Sequence, residues 1–217
     1  DTLTVQDGDH ILVGGLGSDT LTAGKGKLVA AGDSVQLSAT AGENNSTLFG
    51  TVTLLSSVGL PNGAADTISA GAGLSTEDGI KLIIGGAGAD TISVLAMAGF
   101  ERVVAGDNVE VNLDATGRVV GVQSLDSGIT STGADTISLA IGGPATNRAV
   151  DLDFNVLVGG LGSDSLTVNA SADTQDVVGG DNLEVRRVRN AMGQYHLALV
   201  NALSGILGGD DTIALGS

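Results

Sequence analysis

Ten times along the chain an aspartate is followed by Ser, Thr or Asn and then by Leu, Ile or Val, and each time the residues beyond alternate between small polar and aliphatic. The ten are Asp1, Asp19, Asp33, Asp66, Asp90, Asp107, Asp135, Asp164, Asp181 and Asp211. Alternation over 4 to 6 residues bounded by glycine is the pattern of a half-buried β-strand and gives no support to a helix. The chain is therefore expected to be all-β. Strands this short are too small to make independent sheets. Stacked coil upon coil at about 4.8 Å they form a continuous parallel ladder, a β-roll or β-solenoid. Read as ten successive coils, the stack would be about 45 Å long, with Leu21, Ile92, Val94 and Leu166 facing inward.

A longer period lies above this one. The double glycines at 14 and 85 and at 85 and 159 are separated by 71 and 74 residues, and the Gly-Asp pairs at 32, 106 and 180 by 74 and 74. "AADTIS", "GADTIS" and "GDDTIA" begin at 64, 133 and 209. This spacing predicts one continuous domain over 1–217, with residues 1–10 closing a preceding unit and three units of about 70 residues at 11–80, 81–153 and 154–217. Inside each unit an alternating strand, a turn rich in Gly, Asn or Asp and a second strand ("VEVNLDATGRVVGVQS" in the second) predict a β-hairpin insertion, which either projects from the stack or lies along it.

Composition narrows the function. There are 35 glycines, no Cys or Trp, and only four Phe and Tyr residues in 217, so any core is thin and aliphatic. Asp and Glu number 25 against 9 Lys and Arg, for a net charge of −16. Twenty of those acids are aspartates, which suit turns and hard-cation ligation better than helix surfaces. Nucleic acid is repelled by such a surface. Calcium is the expected partner. No apolar run reaches the length of a membrane span. The lack of an initiator Met and of a signal peptide suggests a processed product or an excised piece.

Three stretches carry a family resemblance: "GGLGSDTLT" (14–22), "GGAGADTIS" (85–93) and "GGLGSDSLT" (159–167). They resemble the calcium-binding nonapeptide of RTX proteins, G-G-x-G-x-D-x-aliphatic-x, whose tandem copies form a parallel β-roll. The larger unit is similar to repeats of very large secreted or surface-attached bacterial proteins. The resemblance implies type I secretion from a Gram-negative cell, folding outside on meeting calcium, and a structural or adhesive role. It also implies that Asp19, Asp90 and Asp164 are the acidic ligands, with Gly14, Gly15, Gly17, Gly85, Gly86, Gly88, Gly159, Gly160 and Gly162 shaping the turns. Asp33, Asp107 and Asp181, and Asp66, Asp135 and Asp211, match in part. A full RTX roll carries such turns on both edges. Here the other edge ("TAGKGK", "AGAGLSTEDG", "LAMAGF", "IGGPATNRAVDLDF", "NASADT") lacks the motif, so ions are expected along one edge only.

The competing interpretation of the acids is a plain turn column, in which each Asp bonds local N–H groups without metal. Against it, unpaired carboxylates stacked about 5 Å apart repel, and a divalent ion removes that conflict. "AGDSVQL" (31–37) resembles the Gly-Asp-Ser start of an esterase family, but Ser34 is replaced by Asn in the other two units, so no catalysis is expected. His10 and His196 stand in strand contexts outside any ligand spacing. "TAGKGKL" lacks the P-loop spacing. Arg186, Arg187 and Arg189, a third of all Lys and Arg, fall in the third hairpin, either as a solvated face or as a contact for an acidic surface of another copy.

Beginning at "DTLTV" and ending just after "DDTIAL", the sequence suggests a piece of a longer array or a subunit that stacks end to end. The expected function is a calcium-stabilised rigid rod in a surface layer, fibre or giant adhesin. The alternative is a carbohydrate-binding or secretion module attached to a secreted enzyme. An enzyme of β-helix type would need a carboxylate cluster with a basic residue on one face, which these strands do not assemble.

Overall fold

The computed structural model describes residues 1–40, 51–58, 63–71, 79–126, 133–142, 153–170, 174–203 and 208–216. Among them there is no helix. The strands are β1 (Thr2–Thr4), β2 (His10–Val13), β3 (Thr20–Ala23), β4 (Leu28–Ala31), β5 (Val35–Thr40), β6 (Thr51–Ser57), β7 (Thr67–Ala70), β8 (Lys81–Ile84), β9 (Thr91–Met97) and β10 (Arg102–Ala105). They continue with β11 (Val109–Leu113), β12 (Val119–Ser124), β13 (Thr136–Gly142), β14 (Phe154–Val158), β15 (Ser165–Asn169), β16 (Gln175–Gly179), β17 (Leu183–Arg189), β18 (Tyr195–Ala202) and β19 (Thr212–Gly216).

These form three sheets. An outer parallel sheet has the order β1-β3-β7-β9-β13-β15-β19, a central parallel sheet the order β16-β14-β10-β8-β4-β2, and an antiparallel sheet the order β18-β17-β12-β11-β6-β5. The chain passes alternately between outer and central strands. After β4, β10 and β16 it detours through an antiparallel pair before returning to the outer sheet. The three pairs lie side by side and join into one sheet, so they lie along the body. The turn of the first pair, 41–50, is outside the described residues.

Patterning explains which strand goes where. Outer strands alternate exposed and buried, as in "TISVLAM" of β9, because only one face meets the core. Central strands read as unbroken apolar or fully buried runs, "LVAA" in β4 and "FNVLV" in β14, because both faces are covered. One core lies between outer and central sheets, with Leu21, Ile68, Ile92, Ile137 and Leu166 against Ala30, Ile83, Val104 and Leu157. Leu21, Ile92, Val94 and Leu166 are buried there, as the alternation predicts. A second core joins Leu82, Ile84, Val103 and Val156 to Leu55, Val111, Val122 and Val185 of the antiparallel sheet. Small aliphatics stack in register, as in Ile68, Ile92 and Ile137, and leave little volume for an aromatic ring.

The ten aspartates are not ten equivalent corners. The outer sheet has seven strands, about 29 Å across at ordinary strand spacing. Asp33, Asp107 and Asp181 instead open the hairpin strands β5, β11 and β17. A local Asp-x-aliphatic pattern marks any strand start and carries no label for the sheet it joins.

Of the arginine cluster, Arg186 and Arg189 lie on an exposed face, as the solvated-face expectation has it, whereas Arg187 does not. Arg187 is buried, donates to Glu101 Oε1 at 2.6 Å and to the Val119 carbonyl at 3.0 Å, and lies 4.1 Å over the Phe154 ring. Arg118 Nε donates to the same Glu101 oxygen at 2.7 Å, and Val119 N–H to the other at 2.6 Å. Arg186 pairs with Glu184, and Arg189 donates to the Gly193 carbonyl at 3.0 Å. Arg187 therefore ties the third hairpin to the second internally. His196 is exposed and contacts Asn190 at 2.8 Å.

Candidate functional site

The site is built where strands of the central sheet end and those of the outer sheet begin. In the motif turns, the second and third glycines hold positive φ (+112° at Gly86, +142° at Gly88), a region that a side chain would strain. Gly15, Gly17, Gly160 and Gly162 do the same. The first glycine has a different task. A Cβ on Gly85 would collide with the Asp90 carboxylate and the Gly106 carbonyl, so this backbone must come bare to the acid. Gly14 and Gly159 stand in the same relation to Asp19 and Asp164.

The same pairing occurs where no motif is visible. A Cβ on Gly32 would strike Asp66, one on Gly106 would strike Asp135, and one on Gly180 would strike Asp211. The glycine and the acid of these levels are separated in sequence by a whole hairpin. Six levels result: Gly14 with Asp19, Gly32 with Asp66, Gly85 with Asp90, Gly106 with Asp135, Gly159 with Asp164, and Gly180 with Asp211. Gly32, Gly106 and Gly180 were not singled out as site residues from sequence. Their signal in the sequence is the recurring Gly-Asp pair at 32, 106 and 180.

The acids are bonded to one another through the backbone. The N–H of Asp19 donates to Asp66 Oδ1 at 2.6 Å, that of Asp66 to Asp90 at 2.7 Å, and that of Asp90 to Asp135 at 2.7 Å. The row continues from Asp135 to Asp164 at 2.8 Å and from Asp164 to Asp211 at 2.9 Å. These bonds run between strands, whereas the plain turn column would have used local ones. On the glycine side, Gly15 N–H donates to the Gly32 carbonyl, Asp33 N–H to Gly85, Gly86 N–H to Gly106, Asp107 N–H to Gly159 and Gly160 N–H to Gly180, at 2.7–3.2 Å.

Oδ1 is thus engaged in Asp66, Asp90, Asp135, Asp164 and Asp211, and Asp19 Oδ1 accepts from the amino group of Asp1. Oδ2 of Asp19, Asp66, Asp90, Asp135 and Asp164 is buried with no hydrogen-bond partner. Orphaned charged oxygens are costly in a folded interior. Burial pushes the acids up from the ordinary 3.8, to about 6 at Asp66 and Asp164, about 7 at Asp90 and about 8 at Asp135. Donated N–H bonds pull each of them down in part, and neighbouring carboxylates push up again.

Asp33, Asp107 and Asp181 form a second, shorter set. Asp33 Oδ2 accepts the Ala87 N–H at 2.8 Å, and Asp107 Oδ2 the Leu161 N–H at 2.6 Å. Each reaches the middle of the following motif turn, beside Gly86 and Gly160. Asp181 lies against Gly208. Burial raises Asp33 to about 6 and Asp107 to about 10. Leu16, the matching turn residue of the first motif, is 77% exposed.

The donor set is all oxygen, carboxylate and peptide carbonyl, which suits a hard cation such as calcium and not a thiophilic or imidazole-seeking metal. Among the described residues no three acidic or histidine side chains converge on one point. A cation here would be held by carboxylates with glycine carbonyls. The orphaned Oδ2 atoms and the bare glycine backbone beside them fit that chemistry. Much of the opposite edge, at 72–78, 143–152 and 171–173, is outside the described residues, and with it most of the expectation that it holds no ion.

Comparisons with protein-family models, with curated proteins and with solved structures return no match. No helix among the described residues is long and apolar enough to cross a membrane.

Proposed function

We propose that the chain is a calcium-stabilised structural repeat protein, an RTX-like β-solenoid of three units that serves outside the cell as a rigid rod in a bacterial surface layer, fibre or giant adhesin. The observation that carries this reading is the acid row, where five buried aspartates in register each keep one oxygen without a partner. Such a row is electrostatically unfavourable by itself, and divalent ions held by Asp19, Asp66, Asp90, Asp135, Asp164 and Asp211 would neutralise it. Asp33 and Asp107, which accept N–H groups of the motif turns, would orient those turns, and Asp181 lies against Gly208. Calcium supplies charge neutralisation and cross-linking of successive strands. The three motif turns, the alternation between two parallel sheets and the long repeat support a solenoid, and the secreted, self-associating role follows from the RTX resemblance. No catalytic role is proposed.

The test is a calcium titration of the metal-free chain, followed by circular dichroism and electron microscopy. Strand signal and elongated particles that grow with calcium and vanish in chelator are expected. Unfolding curves that coincide in calcium and in chelator would refute the reading.

One feature favours the alternative of a carbohydrate-binding module. A trough of about 330 Å³ on the antiparallel sheet is lined by Glu110, Asn112, Gln123, Glu184 and Arg186 around the bare backbone of Gly121. Retention on polysaccharide columns by discrete, non-fibrous particles would favour that role.

A further inference from the structure

Asp126 belongs to no motif and to no row. It follows β12 and is 2% exposed. Its Oδ1 accepts the Asn108 side-chain N–H at 3.1 Å, and Leu125 N–H donates to the Asn108 carbonyl at 2.9 Å, so this segment is pinned beside Asp107. Asp126 Oδ2 has no partner. Neither has Asp107 Oδ1, whose side chain is 1% exposed and whose other oxygen is spent on Leu161 N–H. Two buried carboxylates, one next to Asn108 in the chain and the other bonded to it, thus each keep an oxygen without a partner. Among charged groups, Asp126 acts most strongly on Asp107, ahead of Asp135 and Asp164.

We propose that Asp107 and Asp126 hold a divalent hard cation, with calcium the fitting ion, at a site separate from the repeated acid row. Two carboxylates neutralise the ion, and its remaining positions suit carbonyl or water oxygen. Two residues beyond Ser57 and Ala202, the strand-end partners of Val35 and Leu183, the sequence has Gly59 and Ser204, neither of which is a carboxylate. This site does not depend on metal in the row.

The experiment counts calcium ions per chain by native mass spectrometry and calorimetric titration on the full chain, comparing wild type with Asp126→Asn and with Asp126→Ser. Asp7→Asn, at the opposite edge, is the control. Both Asp126 variants are expected to bind one calcium fewer, with the rest unchanged and the control equal to wild type. Should neither fold, Asn108→Ala, which removes the amide holding Asp126, is expected to weaken the same ion at least tenfold. Equal counts in wild type and variants overturn the site while leaving the row intact. A wild type that binds no calcium overturns both. Equal counts together with a proton taken up on folding, abolished by Asp126→Asn, would show a shared proton in place of the ion and also overturn the site.

Discussion

Replacing Asp90 by Asn should change the sign of its effect with calcium. Asp90 is 1% exposed, its Oδ1 takes the Asp66 N–H at 2.7 Å, and its Oδ2 has no partner. Burial, helped by the charges of Asp66 and Asp33 and opposed by the Asp66 N–H, raises it from 3.8 to about 7. Without metal, the folded chain keeps this proton up to about pH 7, while the unfolded chain loses it near pH 4. The folded state therefore binds more protons between those values, and stability falls as pH rises. The contribution is fully present below about pH 4 and is lost through about pH 7. At about 1.4 kcal/mol per pH unit, the loss is about 4 kcal/mol by pH 8. That is a large part of the 5–15 kcal/mol typical of a domain. Asn keeps an oxygen for the Asp66 N–H but has no proton to lose. In chelator, Asp90→Asn should be more stable than wild type at pH 8 by up to about 4 kcal/mol and nearly equal to it at pH 4. Neighbouring acids titrate with Asp90 as one coupled row, so the gain is an upper value. On the proposed calcium role, the order should reverse in saturating calcium, because the variant would lack an anionic ligand. Urea unfolding at pH 4, 6 and 8, with and without calcium, reads all of this. A variant no more stable than wild type at pH 8 in chelator would refute the argument that Asp90 is an uncompensated buried charge.

Gly106→Ala drives a Cβ into the Asp135 carboxylate and the Gly159 carbonyl, and should cost about 3 kcal/mol or more in thermal unfolding. Gly142→Ala, whose Cβ meets nothing within 4 Å, should stay within about 0.5 kcal/mol. Arg187→Ala leaves Glu101 buried with one cation fewer and should cost about 3 kcal/mol, whereas Arg189→Ala on the exposed side should cost under about 1 kcal/mol. Ile83→Ala, fully buried in the central sheet, should cost about 2–5 kcal/mol by denaturant midpoint, against almost nothing for Leu16→Ala.

Strand, turn and inward face were written locally. Period-two alternation put Leu21, Ile92, Val94 and Leu166 in the core, and the glycines at positive φ lie where the motif turns require them. These follow from neighbours a few residues apart, which sequence displays directly. Whether the paired strands after each Gly-Asp lie along the body or project from it was left open by sequence. Their packing into one sheet against the central strands decided it, because "LVAA" and "KLII" have a second apolar face to cover.

Only the tertiary structure decided which acids share a row. Asp33 and Asp66 carry the same local signature, yet Asp66 stands opposite Gly32 in the row while Asp33 crosses to the next turn at Ala87. Arg187 reads as one of three surface cations, but strand pairing turns it inward onto Glu101 and Phe154. Asp126 has no pattern to announce it, since its importance comes from an orphaned oxygen beside Asp107. The periodic residues were legible because hydrophobic alternation and backbone conformation are properties of short segments. The partners of each charge were not, because which groups lose water together depends on strands brought side by side from distant parts of the chain.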